Sequence, residues 1–280
     1  MFKIKENKVD FDVTYKDVPI EEIKRRESVG YAHIRCDHAS YFVDINNDSE
    51  RERLQRHLGL DGYKWFKEET GNQHWVIYNP KHYKIDMDWE NRAVLKLNTA
   101  DYDGGYLEPP INASSFCGIF SWMTIPENIK FSNRFSLRHI KEMSLMFAGS
   151  QIPDGIDLTP CLTTHHVEKV RYMFYKAHIP KNFQLGDFFN THKVTSMEHM
   201  FSQTKIPNGF NINLRTDSLE NANHMFFKVN FEGSCHFGEN FKLNDNIITT
   251  DFFDESVIHG VTYRTDEGYD LYDVINTLNA

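Results

Sequence analysis

The chain has 280 residues, 40% hydrophobic and 25% charged, enough apolar material for one large globular domain or two ordinary ones. A formal charge of −9 and a pI near 5.9 argue against nucleic acid as the partner, since phosphate contacts need clustered Lys and Arg. No apolar stretch approaches the roughly 18 residues of a membrane span, and the opening MFKIKENKVDFDV has no signal-peptide core, so a cytoplasmic protein off the membrane is expected.

Taken in chain order, Lys3 to Val13 alternates like a strand, and PIEEIKRRES (19–28) reads as a short helix with Pro19 at its start. YAHIRC (31–36) and SYFVDI (40–45) read as strands. SERERLQRHLG (49–59) reads as a helix capped by Ser49, with Glu52 completing a capping box and Gly59 ending it. HWVIYNP, HYKIDMDW and RAVLKLN then predict a three-strand meander. Together these make an α+β domain over 1–108, and TADYDGGYLEPP (99–110) reads as the connector at its C-terminal boundary.

Residues 109–245 read as a five-copy repeat with a unit of about 27 residues. Its markers are Ile119-Phe120, Met146-Phe147, Met173-Phe174, Met200-Phe201 and Met225-Phe226, with steps of 27, 27, 27 and 25. Six residues after each comes a second apolar anchor, at Ile125, Ile152, Ile179, Ile206 and Phe231. A proline succeeds it in the first four copies, and Glu232 takes its place in the fifth. A Pro-turn and a short alternating pair come next: Ile129/Phe131, Ile156/Leu158, Phe183/Leu185, Phe210/Ile212 and Cys235/Phe237. Upstream of each marker, apolar residues step by three, as in Ile140/Met143/Met146, which predicts a short helical turn. No unit can bury its apolar side alone, so the expectation is an α+β chain ending in a stacked array. Residues 246–280, off this register, read as a cap or a dimerisation element.

Segments such as IKEMSLMF (140–147), VEKVRYMF (167–174) and VTSMEHMF (194–201) resemble the BspA-type leucine-rich repeats, or bacterial surface-protein repeats, whose V-x-x-M-x-x-M-F block recurs once per unit. The resemblance covers about residues 113–245. It implies a leucine-rich-repeat-like solenoid of short parallel strands and helical turns, with a binding role, as found in bacterial surface proteins and in proteins of large phages. Its functional implication is a phage-borne or bacterial inhibitor or adaptor, engaging a cytoplasmic complex such as a host defence system.

Two columns are candidate partner-binding positions. Lys130, Asp157, Gln184, Asn211 and His236 lie between the inward pairs and are expected to project in a row, about 4.8 Å apart if strands stack in register. Tyr172, His199 and His224 occupy one repeat slot, just before the Met-Phe pair. The expected function is non-catalytic binding of a protein partner, without metal or cofactor, and with a homo-oligomer left open. A rival reading places a metal-dependent hydrolase or nuclease in the N-terminal domain, on Asp86 and Asp88 of one strand face. Another makes the chain a self-associating structural protein. Cys36 and His38 share strand spacing but lack a recognisable oxyanion hole, and His165-His166 lacks the spacing of a zinc enzyme. Cys36, Cys117, Cys161 and Cys235 lie too far apart in sequence to form a CxxC pair, so the spacing implies neither a zinc site nor a disulfide framework.

Overall fold

The computed structural model describes residues 12–14, 18–36, 39–132, 139–186, 189–264, 268 and 270–280. Strands β1 (Asp12–Thr14), β2 (Tyr31–Cys36) and β3 (Ala39–Asp44) form an antiparallel sheet in the order β1-β3-β2. The earlier part of the expected Lys3–Val13 strand lies outside the described residues. Helix α1 (Ile20–Glu27) follows Pro19, where the missing N–H costs no helical bond. Helix α2 (Asp48–His57) is capped by Asn47, not by Ser49 as expected. The cap must precede the first helical residue, and Asn47 Oδ1 accepts from the Glu50 N–H at 3.2 Å, leaving Ser49 inside the first turn.

The meander is also corrected. Strand β5 (Trp75–Tyr78) pairs with an unforeseen strand, β4 (Lys64–Lys67), while β6 (Tyr83–Met87) and β7 (Ala93–Leu97) form a hairpin of their own. The KWFK segment is too short, and too flanked by charge, to announce a strand by periodicity. Strand β5 is wet on neither face. Val76 and Tyr78 join the main core, and Ile77 joins a smaller one with Ala32, Ile34, Val43 and Leu54. The main core runs without interruption from Phe66 through the repeat to Leu278.

The leucine-rich-repeat-like solenoid of parallel strands and helical turns is not what forms. The described residues hold four helices, and three of the six sheets are wholly antiparallel. Within the repeat, the only described helix is α3 (Thr159–Leu162), four residues long. The alternating pairs become strands in three copies, as β9 (Lys130–Phe131), β11 (Phe210–Ile212) and β13 (Cys235–Phe237). In the other two copies side chains take over backbone bonds. Asp157 Oδ1 accepts from Thr159 N–H at 2.9 Å, and Gln184 Oε1 accepts from Asn211 N–H at 2.9 Å.

The step-of-three segments are not helical turns either. Met146 N–H bonds Met143 C=O as a helical turn would begin, yet Leu145 between them sits at φ 61°. Such a residue cannot continue a right-handed helix. Its N–H instead reaches Arg171 C=O at 2.9 Å in the next copy, and Phe147 N–H reaches Met173 C=O at 2.9 Å. The pattern recurs at Tyr172, His199 and His224, with φ of 56°, 54° and 54°. Alternate N–H groups thus point along the stack and the rest close local turns, which gives the period of three.

Two lanes of isolated parallel bridges flank these turns. One runs Ser115, Glu142, Lys169, Ser196, Asn221, Ile248, and the other begins Thr124, Gln151, His178, Lys205. The second continues through β10 (Lys205–Ile206), β12 (Asn230–Phe231) and β14 (Val257–Ile258). Inside, Phe120, Phe147, Phe174, Phe201 and Phe226 stack with centroids 5.3–5.5 Å apart, and every one of these rings is buried. Phe253 continues this row, 5.2 Å from Phe226, and Asp251 and Glu255 repeat the positive φ at 49° and 54°. A sixth layer, invisible to the Met-Phe marker because Phe252 replaces Met, therefore succeeds the five counted in the sequence. Helix α4 (Leu271–Asn279) sets Val274 and Leu278 into the core behind it.

At the opposite end, Leu97 N–H of β7 bonds Ile119 C=O at 2.8 Å and so closes the first layer. Beside it Glu68 is buried, accepting from Ser114 N–H at 2.9 Å, Ser115 N–H at 3.1 Å and Ser114 Oγ at 2.6 Å. Desolvation outweighs these three bonds and pushes its carboxyl from an ordinary 4.5 up to about 7. Since the folded value lies above the unfolded one, the favourable contribution is complete below pH 4.5 and is lost as pH rises through 7. Unfolding in urea at pH 5 and pH 8 will show the native chain losing about 2 to 3 kcal/mol more than Glu68→Gln over that interval, because the substituted amide cannot ionise.

Candidate functional site

The two columns read from the sequence fare differently in three dimensions. Lys130, Asp157, Gln184, Asn211 and His236 are all exposed, and among them only Asn211 and His236 face each other as strand partners. Gln184 reaches Asn211 through its side chain, Asp157 is turned into the start of α3, and Lys130 lies on β9 opposite Tyr106 of β8 (Tyr106–Leu107). The five positions share exposure but lie on strands only at Lys130, Asn211 and His236.

Tyr172, His199 and His224 form one continuous stack. Tyr172 lies 4.5 Å from His199 at an interplanar angle of 14°, and His199 lies 4.5 Å from His224 at 11°. Positive φ at each position turns the side chain outward, and the repeat spacing aligns the rings. Other aromatic rings extend the stack on both sides. Trp89 meets Tyr172 edge-on at 4.1 Å, Tyr175 meets Tyr172 at 5.6 Å, and Trp122 meets Tyr175 at 6.5 Å. Phe227 closes the far end, 5.3 Å from His224.

Trp122 and Trp89 are 56% and 47% exposed, while Tyr172, Tyr175, His199 and His224 are half-buried. The Trp122 indole lies over Gly149, where a Cβ would come within 2.1 Å of the ring and force it away. Cations border the stripe: Lys176 sits 5.0 Å above Tyr175 and Lys228 sits 5.0 Å above Phe227. Arg171 pairs with Glu198 at 2.8 Å, and His224 faces Asp251 at 3.1 Å. Sequence reading found three of the seven rings. Trp89, Trp122, Tyr175 and Phe227 escaped it because they come from a hairpin or from slots whose residue type changes at each copy.

The chemistry considered elsewhere is otherwise engaged. Asp86 lies 3.8 Å from Lys84 and 3.6 Å from Lys96, whereas Asp88 is held by Arg92 at 2.7 Å, so the two carboxylates serve separate cations. Burial pushes the thiols of Cys117, Cys161 and Cys235 well up, away from the nucleophilic thiolate. His38, the expected partner of Cys36, lies outside the described residues. His166 Nδ1 is 2.9 Å from Lys193 Nζ, a contact between copies. Among the described residues, no group of three or more His, Cys, Asp or Glu is placed to hold a metal ion, and no helix is long and apolar enough to cross a membrane.

Residues 115–236 match the model of a family described as "Mycoplasma protein of unknown function, DUF285". The similarity covers the repeat from its first layer to near the end of the fifth. It overturns the resemblance to BspA-type leucine-rich repeats, because the family matched is a different one. No curated protein and no solved structure matches the chain.

His199 has the most displaced titration in the stripe. Burial, and then the adjacent His224, lower it from 6.5 to about 4, and its buried Nδ1 has no hydrogen-bond partner among the described residues. A depressed histidine favours the fold above pH 6.5, and that contribution is lost as pH falls through 4. A proton-NMR titration is expected to place the His199 midpoint near 4, and His199→Phe, which keeps the ring, will lose less stability than the native chain between pH 6.5 and 4.

Proposed function

We propose that the chain is a non-catalytic binding protein whose aromatic stripe engages a protein partner. The observation that carries this reading is the stripe itself: seven rings in mutual contact across successive layers, with Trp89 and Trp122 about half exposed at one end. Large amphipathic rings on a rigid backbone lose little conformational entropy on binding, and Trp, Tyr and Arg dominate the energetic centres of protein interfaces. Bordering Arg171, Lys176 and Lys228 supply a polar rim. The stack of hydrogen-bonded layers holds these rings in place before any partner arrives, which lowers the cost of association.

The inhibitor or adaptor role in a phage or a bacterium drew on the leucine-rich-repeat resemblance and loses that support with it. The proposal is therefore confined to protein binding through the stripe. Its test is affinity capture from lysate of the source cell, using the native chain beside Trp122→Ser and Tyr172→Ser. Partners specific to the stripe will bind each variant about 30-fold more weakly, the loss expected from removing a residue worth about 2 kcal/mol. Equal recovery on the native chain and on both folded variants would remove the stripe from the binding surface.

A further inference from the structure

Strand β6 carries a second surface, independent of the stripe. Among the described residues it pairs with β7 alone, so its other edge is open. The groups facing that edge are set by its partner. Ala93 N–H turns away from β6 to Glu69 Oε2 at 2.6 Å, and Leu97 N–H turns away to Ile119 C=O at 2.8 Å. In an antiparallel pair the residues opposite these also point outward, as does the one midway between them. Tyr83, Ile85 and Met87 are those residues.

The Tyr83 N–H is taken by Asn79 C=O at 2.9 Å, and the Met87 N–H by Asp86 Oδ1 at 2.9 Å. Ile85 is left presenting both its N–H and its C=O to the open edge. Its side chain and that of Met87 are 49% and 50% exposed, an apolar pair on a strand that offers ladder bonds.

We propose that this edge pairs with β6 of a second copy of the chain, antiparallel, about a two-fold axis at Ile85. The charge pattern selects that occupant and that register. With Ile85 opposite Ile85 of the second copy, the two exchange a pair of backbone bonds. Lys84 then faces Asp86 of the other copy on both sides of the axis. Sliding by one step toward the N-terminus brings Lys84 against Lys84, and sliding the other way brings Asp86 against Asp86. Like charges directly opposite are unfavourable, so both neighbouring registers are disfavoured. The segment Lys84-Ile85-Asp86 is thus self-complementary in one alignment. Asp86 Oδ1 is held by its own Met87 N–H, and Oδ2 lies 3.8 Å from Lys84 and 3.6 Å from Lys96 of its own copy, so Lys84 of the second copy joins a carboxylate that is already shared.

Sedimentation velocity on the full chain over a concentration series tests the proposal. The native chain is expected to show a monomer–dimer equilibrium. Asp86→Lys and Lys84→Asp, each alone, set like charges opposite one another twice and are expected to weaken the dimer about tenfold. The double variant Lys84→Asp/Asp86→Lys restores opposition of unlike charge and is expected to restore the dimer. Mixing the two single variants is expected to yield a heterodimer, since one then presents two acids and the other two bases. A monomer at every concentration overturns the proposal, and so does a dimer indifferent to the single swaps. Neither Lys84 nor Asp86 belongs to the aromatic stripe, so failure here leaves that reading standing.

Discussion

Alternate backbone N–H groups in each repeat unit donate to carbonyls of the next unit, and the rest of the repeat depends on that bond pattern. Phe116, Gly118, Phe120 and Trp122 donate to Glu142, Ser144, Met146 and Ala148, and the same four slots donate again in each layer through the fifth. A helix would direct all of these donors along one axis within its own segment. Sending every second one to a neighbour requires left-handed residues at regular intervals, at a cost of order 1–3 kcal/mol each for bulky side chains. Each such bond is buried or shared between layers, where leaving the donor unmatched would cost a comparable amount. The pattern is therefore cooperative, and it persists only while a next layer exists.

That dependence explains how the ends are built. The first layer meets a β-hairpin, whose Leu97 N–H supplies the bond a preceding layer would have made, and Glu68 satisfies Ser114 and Ser115 beside it. A carboxylate among backbone donors meets this demand, and its burial accounts for its high proton affinity. The last layer is backed by apolar residues of α4 and anchored where Asn279 Oδ1 accepts from Phe237 N–H at 2.9 Å. One apolar core runs through the whole assembly because Val76 and Tyr78 of β5 face it while Ile77 faces away.

The same geometry creates the aromatic stripe. A left-handed residue at a fixed slot turns its side chain outward, and the layer repeat places the next one within ring-stacking distance. The buried slots hold Met and Phe almost without variation, since each must fill the same space between the same neighbours. The outward slot varies as Gly118, Leu145, Tyr172, His199, His224 and Asp251, with Leu145 buried in a small cluster with Val94, Cys117 and Ala148. Rings occupy its middle, and the hairpin that closes the first layer brings Trp89 to their edge.

Much of this was legible in the sequence. The 27-residue period, the buried Met-Phe slots and the equivalence of Tyr172, His199 and His224 are all read from residue identity at fixed spacing. Burial imposes that regularity one position at a time, so a single chain records it. The sequence also resolved α1, α2 and most strands of the N-terminal part, where local periodicity and cap chemistry decide. Only tertiary structure settled what the period of three meant, because helical turns and alternating left-handed turns both bury every third residue. The choice between them rests on hydrogen bonds to a segment 26 residues away, to which no local pattern is sensitive. The gathering of Trp89 and Trp122 beside Tyr172 and Tyr175 rests likewise on layers and a hairpin meeting in space. Neighbours in sequence fixed the slots, and neighbours in space decided which slots became a surface.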